Sequence, residues 1–138
     1  MPKEKQRSRT QRCLMDKLGI KADSRVSLLN VDEATLLAEV RGRTPHVTVR
    51  RAARASDVIL VRVTEKASLA RLVDLRKAIR ENGAIWVLWP KGRKELREDD
   101  VRVAALADGL VDVKVASVSD VLSGLKLVIP VAQRSAKT

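Results

Sequence analysis

Three nearly continuous apolar runs stand out along the chain, at residues 25–31, 58–63 and 84–89. Runs of this kind are typical of strands that are buried on both faces of a parallel sheet. A shorter run at residues 46–50 predicts a further strand, with Val47 and Val49 on the same face. Amphipathic segments separate these runs, so the pattern predicts strands and helices in alternation.

Helical spacing of apolar residues predicts four helices, most of them with a capping residue at the start or a glycine at the end. They cover residues 14–19, 32–45, 68–83 and 98–109. Asp32 and Ser68 are expected to cap the second and third helices. Val73 is expected to face the core from the third helix. Three consecutive acidic residues open the fourth helix, where the helix dipole favours negative charge.

The last two strands differ from the earlier ones. Residues 113–115 alternate between apolar and polar, which favours a strand with one wet face, and residues 125–129 form another apolar run. The connection between them is too short for a crossover helix, so we expect an antiparallel pair. The sequence therefore predicts an α/β protein with a three-layer, Rossmann-like open sheet, mostly parallel, with a C-terminal antiparallel hairpin.

Composition is consistent with one domain. The chain has 138 residues, 45% hydrophobic and 33% charged, which is enough for a sizeable core. We predict a domain at residues 13–131, a basic disordered tail at residues 1–12 and a C-terminal tail at residues 132–138. Trp86 and Trp89 are the whole aromatic inventory, and their spacing along one strand predicts that they point to opposite faces. One of them could reach a dimer contact, so a monomer and a homodimer both stay open.

The chain is strongly basic, with a formal net charge of +11. Residues 1–12 hold five basic side chains and one acidic one. A second group of basic residues has no acid among them and forms a candidate polyanion-binding cluster: Arg41, Arg43, Arg50, Arg51 and Arg54. Attraction to nucleic acid is one interpretation. Solubility is the other, because no set of aromatic residues accompanies the charge to stack on bases.

Several kinds of chemistry find little support in the residues. The single cysteine cannot form an internal disulfide, and a lone thiol is not a metal site, so we predict no metal and a reducing, cytoplasmic location. No apolar stretch approaches the length of a membrane span. His46 is the only histidine and has no evident nucleophile as a partner, so we name no catalytic residue.

The order of elements resembles the class I S-adenosylmethionine-dependent methyltransferase fold in a reduced form. Residues 17–30 look like the entry to that fold's first strand. Residues 56–87 resemble its later strand–helix–strand segment, and residues 108–113 with the final strand resemble its closing antiparallel pair. This resemblance implies the fold and makes S-adenosylmethionine (SAM) a possible cofactor.

Two segments carry a narrower resemblance. LWPKGR at residues 88–93 and GLVDVKVASVSDVLSGLKLV at residues 109–128 look like an uncharacterised bacterial family of small Rossmann-like proteins, a domain of unknown function. This family covers Ser123, Gly124 and Lys126, which suggests a specific role for them. The physical alternatives are a turn that needs a glycine with positive φ, and a lysine that protects an edge strand from pairing.

The methyltransferase cofactor motif is degenerate. The family places a glycine-rich turn after the first strand, because only glycine lets the backbone approach the cofactor closely. Residues 30–34 contain no glycine. The family also places an acid at the end of the second strand to hold the cofactor ribose, whereas Arg50 and Arg51 stand there. We therefore predict no bound cofactor.

Position in the sheet supplies a candidate ligand site. Ligands of open α/β sheets bind outside the carboxyl ends of the strands, where the strand order reverses. The side chains expected there are Asn30, Asp32, Thr64, Glu65, Trp89 and Lys91. Asn30 would bind a polar group, Trp89 would stack and Lys91 would meet an anion. Alternatively, Asp32 is a helix cap, Trp89 packs in the core and Lys91 is solvated.

These observations leave three functional hypotheses. The first is a non-catalytic Rossmann-like module that binds a protein partner or a small ligand. The second is a SAM-dependent methyltransferase-like enzyme with an altered cofactor turn. The third is association with nucleic acid through residues 1–12 and the cluster of arginines.

Overall fold

The computed structural model describes residues 14–92 and 94–133. Within them, strands and helices alternate up to a terminal hairpin. The strands are β1 (Val26–Leu29), β2 (Val47–Val49), β3 (Ser56–Arg62), β4 (Ile79–Pro90), β5 (Val111–Ser117) and β6 (Leu122–Val128). The helices are α1 (Leu14–Leu18), α2 (Ala34–Arg43), α3 (Leu72–Ala78) and α4 (Glu98–Ala107), with short 3-10 helices at Lys66–Arg71 and Val131–Gln133. The predicted tail at residues 1–12 lies outside the described residues, as do residues 134–138 of the predicted C-terminal tail.

The strands form one sheet in the order β2-β1-β3-β4-β6-β5. The neighbours β2, β1, β3 and β4 run parallel, whereas β6 pairs antiparallel with both β4 and β5. The predicted fold class, a mostly parallel open sheet with an antiparallel C-terminal hairpin, is confirmed.

Two apolar clusters cover the two faces of the sheet. On one face, α1 and α2 pack Leu18 and Leu36 against strand residues that include Leu60. On the other face, α3 and α4 pack side chains such as Leu72 and Val101. Burying an aliphatic side chain of this size stabilises the fold by roughly 1.5–3 kcal/mol. The three layers therefore hold together without a cluster of aromatic residues.

The two tryptophans of β4 enter different clusters, as their spacing predicts. Trp86 packs beneath α1 and is fully buried, and its indole Nε1 donates a hydrogen bond of 3.0 Å to the carbonyl of Leu18. Trp89 lies in the opposite cluster with 6% of its surface exposed. The suggested dimer contact through one of these rings is not available on the surface of the described chain.

The beginning of α2 differs from the prediction. Asp32 is not its cap, because the helix begins one residue later, with Glu33 at the N-cap position and no side-chain capping bond. The Asp32 carboxylate instead faces Arg62 across 3.9 Å. The helix also continues past Gly42 to Arg43, and the N–H of Thr44 then donates to the carbonyl of Val40.

The third predicted helix is shorter than its apolar spacing suggested. Ser68 lies inside a 3-10 helix rather than at a cap, α3 ends at Ala78, and Val73 is exposed. The chain turns into strand at Ile79 because Ile79 pairs with Ser56 at the start of β3. Non-local sheet pairing thus replaces the last helical turn.

The hairpin positions also differ from expectation. Ser123 and Gly124 lie within β6 and not in the connection. Lys126 does not protect an edge, because β6 lies between β4 and β5. Gly124 has no positive φ, and its role is close packing: an added Cβ would lie 2.9 Å from Val118 and 3.1 Å from Trp86.

This packing predicts opposite effects for two glycine substitutions. Gly124→Ala should lower the free energy of unfolding by about 1–3 kcal/mol, since the new methyl group overpacks the face of β6. Gly42→Ala is the matched control, because Gly42 lies inside α2 with open space around it and should gain about 0.5–1 kcal/mol. Urea unfolding measures both. An unchanged stability for Gly124→Ala would contradict the packing role.

Candidate ligand-binding site

The carboxyl ends of β1, β2 and β3 meet at one edge of the sheet. The chain leaves β1 for β2 on one side and returns to β3 on the other, so β1 lies where the strand order reverses. Asn30 follows β1, Arg50 follows β2, and Arg62 and Thr64 lie at and just after the end of β3. Crevices at such switch points are the usual ligand sites of open α/β sheets.

A cavity of about 760 Å³ occupies this edge. Its apolar lining consists of Leu28, Val31, Leu37 and Val49, which come from β1, α2 and β2 and from the turn after β1. Its polar lining consists of Asn30, Asp32, Arg41, Arg50, Arg62, Thr64 and Ser68. The volume is within the range of small-molecule sites, and the mixed lining suits a ligand with one apolar part and one polar part.

Three guanidinium groups and one carboxylate give the cavity its charge. Arg62 forms a loose ion pair with Asp32, whose side chain is 77% exposed. Among residues 14–92 and 94–133, no carboxylate forms a salt bridge with Arg41 or Arg50. The cavity therefore carries an excess of positive charge that suits an anionic ligand.

The backbone at the cavity adopts conformations that favour glycine. Asn30 has φ 60° and Arg50 has φ 74°. Asparagine tolerates this left-handed region through local hydrogen bonding, whereas for arginine it costs about 1–2 kcal/mol. The Arg50 N–H continues the β-ladder by donating to the carbonyl of Leu28 at 2.9 Å. Strain of this kind is often found at binding sites.

The structure brings together half of the predicted ligand residues. Asn30, Asp32 and Thr64 line the cavity. Glu65 is the N-cap of the following 3-10 helix and lies outside the lining.

Trp89 and Lys91 do not line this cavity. Trp89 cannot stack on a ligand there, because it is buried in the cluster under α3 and α4. Lys91 donates a hydrogen bond of 2.7 Å to Ser117 at the end of β5 and also lies outside the cavity lining.

The predicted cluster of arginines does not stay together. Arg41 and Arg50 line the cavity, and Arg51 and Arg54 are exposed outside it. Arg43 has a structural role instead: it bonds Asp16 at 3.1 Å and the carbonyl of Ile20 at 3.0 Å, which joins α2 to the end of α1.

Arg62 and Ser68 are cavity residues that the sequence analysis missed. Arg62 ends an apolar strand, and a charged residue at the carboxyl end of a buried run is a signal that could have found it. Ser68 offered no such signal, because it reads as a helix cap. Ser123, Gly124 and Lys126 belong to β6 and do not line this cavity.

Arg102 forms a separate ionic network that has a structural explanation. It bonds Glu98, Asp99 at 2.7 Å and Asp112 at 3.0 Å, and so connects α4 to β5. The hydrogen bonds to Glu98 and then to Asp112 raise the pKa of Arg102 above its ordinary value.

Among the described residues, no three His, Cys, Asp or Glu side chains are grouped to hold a metal. The described helices are also too short or too polar to span a bilayer.

The residues of the cavity do not fit SAM in the way the methyltransferase fold holds it. The turn after β1 presents the side chains of Val31 and Asp32 where glycines would allow backbone contact. Arg50 occupies the place of the ribose-binding acid, and SAM itself carries a sulfonium cation. Three guanidinium groups and the sulfonium cation would then share the cavity with one exposed carboxylate.

Solved structures define the class of this fold. The SAH-bound methyltransferase CalO1 of calicheamicin biosynthesis superposes with a TM-score of 0.63 at 15% identity, covering 92% of this chain and 55% of that one. A precorrin-6y C5,15-methyltransferase from Geobacter metallireducens GS-15 superposes with a TM-score of 0.61 at 11% identity, covering 85% and 86%. The protein thus has the Rossmann-like fold of SAM-dependent methyltransferases.

The family is also defined. Residues 15–131 match the family described as "Protein of unknown function (DUF3052)", and the chain belongs to that family. No curated protein is significantly similar to it in sequence. The resemblance to a domain of unknown function with a methyltransferase-like fold is therefore confirmed.

The left-handed residues predict a gain in stability on substitution by glycine. Arg50→Gly should raise the free energy of unfolding by about 0.5–1 kcal/mol, because relief of the strain exceeds the entropy that glycine adds to the unfolded chain. Ala55→Gly, at φ 61° and outside the cavity lining, should gain a similar amount. Thermal and urea unfolding measure both, and a loss of stability in both variants would contradict the assigned conformations.

Proposed function

We propose that the protein is a non-catalytic Rossmann-like module whose crevice binds an anionic small molecule. One observation carries the proposal: Arg41, Arg50 and Arg62 line a single cavity at the switch point of the sheet, opposed by one exposed carboxylate. Guanidinium groups bind phosphate and carboxylate oxygens through paired N–H donors.

The character of the lining supports binding over catalysis. Among the described residues, the cavity is lined by no histidine or cysteine. Its hydroxyl groups, on Thr64 and Ser68, have no base positioned by the lining except the Asp32 carboxylate, which pairs with Arg62. Nucleophilic catalysis needs a hydroxyl or thiol paired with a base, so the lining favours a ligand that is held rather than transformed.

A methyltransferase-like enzyme is the second candidate. It is favoured by the fold that the chain shares with methyltransferases solved with SAH, such as CalO1, or with SAM, such as the magnesium protoporphyrin IX methyltransferase of Synechocystis PCC 6803. The latter superposes with a TM-score of 0.57 at 14% identity, over 85% of this chain and 74% of that one. Ligand charge separates the two candidates, because SAM is cationic.

Calorimetric titration of the full chain tests the proposal. Adenosine 5′-monophosphate (AMP), SAH and SAM share the adenosine group and differ in the 5′ substituent, which is a phosphate in AMP and an amino-acid chain in SAH and SAM. At neutral pH, AMP is anionic, SAH is neutral overall and SAM is cationic. The positive cavity predicts that AMP binds tightest and SAM weakest. Arg41→Gln should weaken AMP binding by about tenfold or more, since it removes one charge-assisted contact. Lys77→Gln is the control, because it removes the same charge from an exposed position outside the cavity.

Each result has a defined meaning. AMP binding that falls in Arg41→Gln and not in Lys77→Gln supports the anion site. Tighter binding of SAM than of AMP overturns the proposal and favours the methyltransferase-like enzyme instead. If none of the three binds, the proposed anion site is wrong. The nucleic-acid hypothesis is then tested by measuring how the affinity for duplex DNA falls with salt concentration, because each phosphate contact makes that fall steeper.

A further inference from the structure

We infer that the anion recognised by the crevice is a phosphate on a secondary ribose hydroxyl of an adenine mononucleotide, and that Arg50 holds it. This inference rests on the proposed function and specifies its ligand. In Rossmann-like sites, an acid near the end of the second strand binds a ribose hydroxyl, whereas an arginine nearby accommodates a phosphate on that hydroxyl. Arg50 directly follows β2, so the charge at this position favours the phosphorylated ribose.

The position of Arg50 is fixed by the sheet. Val49 pairs with Leu28 in the parallel ladder, so the next residue lies beside the end of β1. The Arg50 N–H bonds the Leu28 carbonyl, and φ is 74°. Two hydrogen bonds hold the segment that follows Arg50 against the sheet. The Ala53 N–H donates to the hydroxyl of Ser27 at 2.9 Å, and the Ser27 hydroxyl is hydrogen-bonded to the hydroxyl of Ser56 at 2.8 Å. The backbone that carries the guanidinium is therefore ordered before a ligand arrives.

A second guanidinium comes from helix α2. Arg41 of α2 lines the same cavity and forms no salt bridge with a described carboxylate. Arg62 differs, because it already faces Asp32. Arg41 is therefore assigned to the 5′-phosphate of the nucleotide, while Arg50 offers its planar fork of N–H donors to the phosphate on the ribose.

The apolar wall supplies a place for the base. Leu28, Leu37 and Val49, which come from β1, α2 and β2, form most of the apolar lining of the cavity. A flat purine can be buried against aliphatic side chains while its ribose faces the end of β2. The cavity has no aromatic lining residue, so burial of apolar surface, and not stacking, would hold the base.

The turn after β1 favours a mononucleotide over a dinucleotide. Dinucleotide sites let a pyrophosphate approach the backbone at a glycine in this turn. Val31 and Asp32 stand there instead, and the Asp32 carboxylate would repel a pyrophosphate placed at this turn. In dinucleotide sites the backbone after β1 contacts phosphate, whereas in this protein we assign the phosphate contact to the side chains near β2.

Titration with two nucleotide isomers tests the inference. Adenosine 2′,5′-bisphosphate and adenosine 3′,5′-bisphosphate each add one ribose phosphate to AMP and differ only in its position. One of them should bind the full chain at least about tenfold tighter than AMP, as expected for an added charge-assisted contact. The isomer that binds tighter identifies the hydroxyl that faces Arg50.

Neighbouring variants locate the contact. Arg50→Gln should bring the affinity for the preferred bisphosphate down to about that for AMP, while Arg51→Gln, which removes an exposed charge outside the cavity, should leave the difference intact. Both variants are expected to fold, because neither substitution removes a buried group. Unfolding curves of the two variants check this. Arg50→Lys should restore part of the loss, because a lysine keeps the charge without the fork.

The outcomes separate this inference from the proposed function. If AMP and both bisphosphates bind equally, or if Arg50→Gln keeps the preference, the inference is overturned while the anion site stands. If Arg51→Gln loses as much as Arg50→Gln, the preference reflects general positive charge and the inference is also overturned. If no nucleotide binds, the proposed function and the inference fail together.

Discussion

Burial of β4 on both faces is the constraint on which the remaining structure depends. Trp86 points into one cluster and Trp89 into the other, so each face of this strand anchors a separate layer of helices. The indole hydrogen bond from Trp86 to the Leu18 carbonyl then fixes α1 against the sheet. Because β4 pairs parallel with β3 and antiparallel with β6, it also joins the Rossmann-like half to the hairpin. A Cβ added at Gly124 would lie only 3.1 Å from Trp86, which shows how little space this junction leaves.

A rigid centre allows irregular geometry at the carboxyl edge. Asn30 and Arg50 occupy backbone conformations that few non-glycine residues adopt, and three guanidinium groups share one cavity. Each of these features opposes stability on its own. They are tolerated because the strands behind them are held by apolar packing, which does not depend on the charge at their ends. The same architecture that carries SAM in other proteins therefore presents a different electrostatic surface here.

The parts predicted from sequence are those governed by local pattern. Continuous apolar runs identified the buried strands, because a strand that is covered on both faces of the sheet has few positions that accept a polar side chain. The end of α3 was not predictable in this way, since pairing of Ile79 with Ser56 decides it from a distance. Gly124 reads as a turn residue until Trp86 and Val118 are seen against it. Three of the six proposed ligand residues reached the cavity because strand ends converge. Spacing placed the tryptophans on opposite faces without showing that both faces are covered.

The shortness of β2 links the site to the local dynamics of the sheet. This edge strand has three residues, and among the strands that the structure describes it pairs with β1 alone. Short edge strands open at a lower free energy than the centre of a fold, so we expect the β2 amides to exchange with solvent before those in β3 and β4. Arg50 directly follows this strand, so a ligand held by Arg50, as proposed, would bind only while β2 is paired with β1. Occupancy and closure are therefore thermodynamically coupled, and hydrogen exchange at β2 becomes a readout of the crevice.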